Sequence, residues 1–144
     1  MSKIKILLVV NEPSSGCEYH RQTMPHRKLQ ERYPDRYEIT ICSQKNMIHL
    51  PEVRREMFSQ YDIVSFCRHI LPVTSMDDII DDLNIAGCII HFDIDDYWHL
   101  SPNHINYRDS MLSKSYIPII RCLERADIVT TTTNFLADLI KKHN

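Results

Sequence analysis

The 144 residues are enough for one domain with its own core and short for a two-domain enzyme. With 43% hydrophobic and 25% charged residues and a formal net charge of -2, the composition is that of an ordinary globular protein and gives no electrostatic reason to expect nucleic acid or an anionic membrane as partner. No run approaches the ~20 apolar residues of a membrane helix, and five cysteines without a C-x-x-C pair point to reduced thiols in a cytoplasmic protein, not to a disulfide framework or a zinc ribbon.

The chain opens on an apolar run, Ile4–Val10, too short for a signal peptide and followed by Asn11-Glu12-Pro13, which offers no small-residue cleavage site. It is the first of five short strands, the others being Tyr37–Cys42, Asp62–Cys67, Cys88–Phe92 and Asp127–Thr131. They are rich in Ile and Val and mostly continuous, the pattern of strands covered on both faces. Glu38-Ile39-Thr40-Ile41 alternates, which places the second strand nearer a sheet edge. Helices are predicted between them. The first lies within Cys17–Tyr33, where Pro25 kinks it or begins its second part. The next covers about Pro51–Ser59, with Pro51 in the first turn. A third runs from about Ser75 to Ala86, capped by Thr74 or Ser75 and ended by Gly87. A fourth covers about Ser113–Ala126, and a last one about Asn134–His143, with Thr133 as N-cap. The stretch from Asn103 to Asp109 reads as irregular. Arg54-Arg55, and the pairs Asp77-Asp78 and Asp81-Asp82, read as solvated helix faces.

Strand–helix alternation of this kind predicts an α/β, Rossmann-like parallel sheet of about five strands in the order 3-2-1-4-5, with helices on both faces, residues 1–144 forming a single domain. Ligands of such sheets bind beyond the carboxyl ends of the strands where the order reverses. For that order the crevice lies between strands one and four, at Asn11–Arg21 and Asp93–His99.

Both segments are chemically unusual. Ser14, Ser15 and Gly16 lead into a helix N-terminus, which accepts an anion or a hydroxyl-rich ligand. A dinucleotide fingerprint needs three glycines there; Gly16 is one of only two in the chain, and no Walker A loop is present, so no nucleotide cofactor is expected. In Asp93-Ile94-Asp95-Asp96, three carboxylates within four residues repel one another unless an arginine, a cation or a hydroxylated ligand relieves them. Arg68, just past strand three, either binds a phosphate or pairs with that cluster, and Trp98 adds a flat face suited to stacking on sugar rings. His91 reads as a satisfied histidine within a covered strand. No further acid cluster is placed to complete a metal shell, so no metal site is expected.

Taken together, these motifs resemble the N-terminal domains of GT-B glycosyltransferases of the retaining, family-4-like kind. The resemblance rests on Lys5-Ile6-Leu7-Leu8-Val9-Val10, on Gly16-Cys17-Glu18-Tyr19-His20-Arg21 followed by Pro25 and Leu29, on Arg68 with Asp93-Ile94-Asp95-Asp96, and on Ala126-Asp127-Ile128-Val129-Thr130-Thr131-Thr132-Thr133 with Leu136-Ala137. It implies a domain on the acceptor side of an enzyme that transfers sugar from a nucleotide-sugar donor to a hydroxyl acceptor, the donor being held mainly by a C-terminal domain absent from these residues. It further implies a cleft lined by Gly16, Tyr19, Arg21, Asp93, Asp95, Asp96 and Thr133, with Asp95 or Asp96 as candidate catalytic base. The alternative is a free-standing flavodoxin-like ligand-binding or regulatory module without catalysis.

Overall fold

The computed structural model describes residues 2–14, 16–47, 50–68 and 76–144. Five strands, β1 (Ile4–Val10), β2 (Tyr37–Ser43), β3 (Ile63–Cys67), β4 (Ile89–Ile94) and β5 (Ile128–Thr131), form one sheet in which every neighbouring pair is parallel. The fold class is therefore as the sequence predicts. The strand order is not: it is 2-1-3-4-5, with β3 beside β1 where strand four was expected. Every helical crossover is compatible with parallel pairing on either side of β1, and the local pattern does not choose between them. The reversal point consequently falls between β1 and β3. β2 lies at an edge, as its alternation suggests, with Glu38 and Thr40 exposed.

Around the sheet lie α1 (Gly16–Glu18), which runs through a π-helical turn at Tyr19–Thr23 into α2 (Met24–Arg32), then α3 (Pro51–Phe58), α4 (Met76–Ala86), α5 (Tyr107–Ser113), α6 (Tyr116–Arg125) and α7 (Asn134–Ile140). Pro25 stands in the first turn of α2 and so begins the second part of this helical stretch, as one of the two expected alternatives has it. It has no N–H to give to a carbonyl one turn back, and the preceding Met24 N–H reaches Tyr19, five residues back, in the wider turn. Gly87, at φ +77°, closes α4: Gly87 N–H donates to Asn84 and Cys88 N–H to Leu83, a pairing that needs the left-handed residue between them. The predicted caps Thr74 and Ser75 lie outside the described residues. α5 occupies part of the stretch expected to be irregular.

The main core lies on one face of the sheet, where Val64, Phe66, Ile90, Phe92 and Ile94 meet Phe58 of α3, Ile79, Ile80 and Leu83 of α4, and Cys122 and Leu123 of α6. Two expectations about charged residues are corrected here. Arg54 is fully buried and its guanidinium clamps Asp82, itself buried, which also accepts from Arg55. A carboxylate can be buried because two arginines neutralise it; the pattern along α3 and α4 looks the same whether such residues face water or each other. Trp98 is 5% exposed and packs with the core.

Candidate functional site

The carboxyl ends of β1, β3 and β4 converge on two arginine–aspartate pairs. Asp93, the penultimate residue of β4, faces away from the main core and is 3% exposed. Arg21, from the π-helical turn, grips it through both branches: Nε donates to Oδ2 (2.8 Å) and the terminal nitrogen to Oδ1 (2.5 Å). This two-pronged geometry is the strong form of a charge-assisted bond, and Asp93 in turn holds the guanidinium pKa above its ordinary value. Thr130 of β5 donates a further bond to Oδ1 (2.6 Å).

One step outward, Arg68 donates to Asp95 (3.1 and 3.2 Å) and to Asp96 (2.5 Å). Burial works against the Asp95 charge, but the Arg68 guanidinium outweighs it and keeps the carboxyl below the usual range. Arg68 itself follows β3 in the left-handed region, φ +62°. A side chain there costs about 1–3 kcal/mol, a conformation kept where the surroundings demand it and concentrated at functional sites. Its backbone N–H donates to the Asp93 carbonyl (3.2 Å), which ties the strained residue to β4. The acidic cluster is thus relieved by arginines, and no group of three or more metal-ligating side chains occurs among the described residues.

Behind this pair lies a cavity of about 470 Å³ between the segment after β4 and helix α5. Arg68 and Asp96 line it, together with Trp98, Ser110, Ser113 and Ser115; the Ser110 and Ser115 hydroxyls bond each other (2.9 Å) and Ser113 donates to the Asp109 carbonyl (2.7 Å). The Trp98 Nε1–H is buried and meets no acceptor among the described residues. A buried donor left without an acceptor costs free energy.

The loop after β1 behaves differently from a phosphate cradle. Asn11 N–H and Glu12 N–H both donate to one oxygen of Glu18 (2.7 and 3.0 Å), so a side chain of the same loop occupies the place of an anion. Gly16, at φ +68°, makes the turn that brings Glu18 back. Tyr19 is half-buried with its ring edge-on to His20. Thr133 caps α7, accepting from Leu136 N–H (3.2 Å), and the neighbouring Thr132 hydroxyl donates to the Asp95 carbonyl (3.2 Å). Ser15 lies outside the described residues. The predicted site residues Arg21, Asp93, Asp95, Asp96 and Arg68 are therefore brought together, Trp98 stands behind them in the core, and Thr133 acts as a cap.

Sequence reasoning missed Ser65, Gln22 and Thr130, which join His91 beneath Asp93. The available signal was the alternation of Ser65, His91 and Thr130 with large apolar residues inside otherwise apolar strands.

No family model and no curated protein matches the chain. Among solved structures it is similar to a pilus assembly-related protein of Burkholderia pseudomallei, at 16% identity and a TM-score of 0.49, over 99% of this chain and 90% of that one. It is also similar to general stress protein 14 of Treponema denticola, solved in complex with FMN, at 10% identity and a TM-score of 0.35, over 98% of this chain and 92% of that one. Among the described residues no helix is long and apolar enough to cross a membrane.

Proposed function

We propose that the carboxyl edge of the sheet binds a hydroxyl-rich small molecule, and that the domain serves as the acceptor side of a sugar transferase whose nucleotide-sugar donor is held elsewhere. The observation that carries this reading is the cavity shared by Arg68, Asp96, Trp98 and three serines. Its size falls in the range of small-molecule sites, and it combines an apolar floor with a few converging polar groups. The Asp96 carboxylate and the remaining lone pairs of the serine oxygens can accept from the hydroxyls of a polyol, and the Arg68 guanidinium can donate to its oxygens. Asp95, with its carboxyl held low by Arg68, is suited to accept a hydroxyl hydrogen bond and poorly matched to remove the proton at neutral pH. Asp96, more exposed, is the better candidate for the group nearest the reacting hydroxyl.

Titrating the domain with glycosides while following backbone amide resonances tests the reading. Saturable shifts at Ser110, Ser113 and the Trp98 indole, lost in Asp96→Asn, are expected. Shifts spread over the surface, or unaltered by that substitution, would remove the basis for it. Tight stoichiometric binding of a nucleotide sugar by these 144 residues alone would contradict the division of labour.

The observed order 2-1-3-4-5 is that of flavodoxin-like sheets and favours a second reading, a ligand-binding or regulatory module without catalysis. A flavin phosphate in the β1 loop would have to displace Glu18 from two amides. Absence of flavin mononucleotide binding together with glycoside binding would leave the first reading standing.

A further inference from the structure

Beneath Asp93 the hydrogen bonds close into a ring. Gln22 Oε1 lies 2.9 Å from Ser65 Oγ, which lies 2.7 Å from His91 Nδ1; His91 Nε2 lies 3.0 Å from Thr130 Oγ1, which lies 2.6 Å from Asp93 Oδ1. Arg21, the residue before Gln22 in the π-helical turn, grips Asp93 and completes the circuit.

Counting protons fixes most of it. A carboxylate only accepts, so Thr130 must spend its single proton on Asp93, and the threonine oxygen must then receive one from His91 Nε2. The other end has two solutions. With Gln22 Oε1 toward Ser65, the serine proton goes to the amide, so Nδ1 must also carry a proton and the imidazole is charged. With the amide turned by half a revolution, its nitrogen donates to Ser65, the serine donates to a bare Nδ1, and the imidazole is neutral. All the distances are kept in both.

We propose that His91 and Gln22 form a coupled positioning pair, in which Nε2–H of the neutral imidazole aims the Thr130 hydroxyl at Asp93, and protonation of Nδ1 requires the Gln22 amide to turn over. The titratable and charged groups facing His91 are Asp93 on its own strand and His26 on α2; Ser65 and Thr130, on β3 and β5, are neutral. Burial foremost, and His26 in addition, hold His91 below the usual histidine range, while Asp93 works in the opposite direction. The neutral ring is therefore the working state near pH 7, and acid adds a second positive charge beside the Arg21–Asp93 pair. His91 touches no ligand in this account; it sets the orientation of the carboxylate that anchors the site, whatever the ligand class.

Nitrogen-15 NMR of histidine-labelled protein reads the tautomer directly. At about pH 8, above the usual histidine pKa, His91 should show a protonated Nε2 and a bare Nδ1. The opposite tautomer would overturn the proposal with no variant required. Gln22→Glu presents only acceptor oxygens to Ser65 and should raise the His91 titration midpoint by about one pH unit, a tenfold gain in proton affinity. Gln22→Met, with nothing to offer Ser65, should keep the Nε2–H tautomer and show no such rise. Equal midpoints in Gln22→Glu and wild type would refute the coupling, and the wild-type tautomer still decides the ring's direction should Gln22→Glu fail to fold.

Discussion

The two faces of the sheet are built from the same strands and obey different rules. On the side of α3, α4 and α6, β3 and β4 present Val64, Phe66, Ile90, Phe92 and Ile94, all almost fully buried. On the side of α1 and α2 the intervening residues are Ser65, His91 and Asp93, answered by Gln22, Arg21 and Thr130. Stability alone would favour apolar residues on both, since a buried ion pair is often no better than well-packed hydrophobic residues of similar volume. The polar face spends desolvation energy to hold Asp93 and Arg21 in one geometry at the carboxyl edge. A specified orientation is what a binding site needs and what an apolar core does not supply.

That contrast can be broken from either side. On the apolar face, Phe92→Ala should cost about 3–5 kcal/mol in chemical denaturation, and Asp82→Ala, which leaves Arg54 buried without its clamped carboxylate, should cost about as much. On the polar face, Asp93→Asn should cost less, about 2–3 kcal/mol, because Arg21 keeps partial access to water, with 22% of its side chain exposed. It should also abolish the glycoside-induced shifts, whereas Phe92→Ala should spare them in the fraction that remains folded. If both substitutions affect binding only in proportion to stability, the distinction between the faces fails.

Arg68 sharpens the same comparison. Arg68→Gly and Arg68→Ala lose the same ion pairs with Asp95 and Asp96, but only glycine relaxes a backbone at φ +62°. The glycine variant should be more stable than the alanine variant by about 1 kcal/mol, with ligand binding weakened in both. Equal melting temperatures would show that the left-handed backbone carries no strain.

The smallest effect expected is the dependence of stability on pH. Burial lowers the pKa of both His26 and His91 in the folded state, so between their folded values and the ordinary value near ~6.5 the unfolded chain binds more protons. Stability should therefore rise with pH through that window and level off above it. The lowered Asp95 carboxyl adds stability that is present above the ordinary carboxylate range and lost as pH falls through the folded value. Melting temperatures between about pH 2 and 8 check both signs, and His91→Gln should flatten the upper part of the curve.

Much of this was legible in the residues themselves. Continuous Ile/Val runs placed all five strands, and three crowded carboxylates with Arg68 and Arg21 marked the edge where the structure brings these residues together. Strand order was not legible, because nothing local decides on which side of β1 the third strand settles. The roles of Asp82 and Arg54 were misjudged for a related reason: pairing and burial are decided by partners tens of residues away. Asp82 lies in a run of acids that would equally suit a solvated helix. The ring beneath Asp93 was hidden because serine and threonine inside strands are ordinary, and only their shared rows across β3, β4 and β5 give them meaning.

Glu18 has a consequence for how readily the molecule responds to its surroundings. Its carboxylate is tethered seven and six residues from the amides it engages, so those amides face a permanent internal competitor. A short tether of this kind corresponds to an effective concentration on the order of millimolar or higher. Dissolved phosphate has to outcompete that carboxylate for the same two amides, and the contact fastens the start of the first helix to the end of β1. The loop after β1 thus carries its own carboxylate where an open phosphate cradle would leave both amides free.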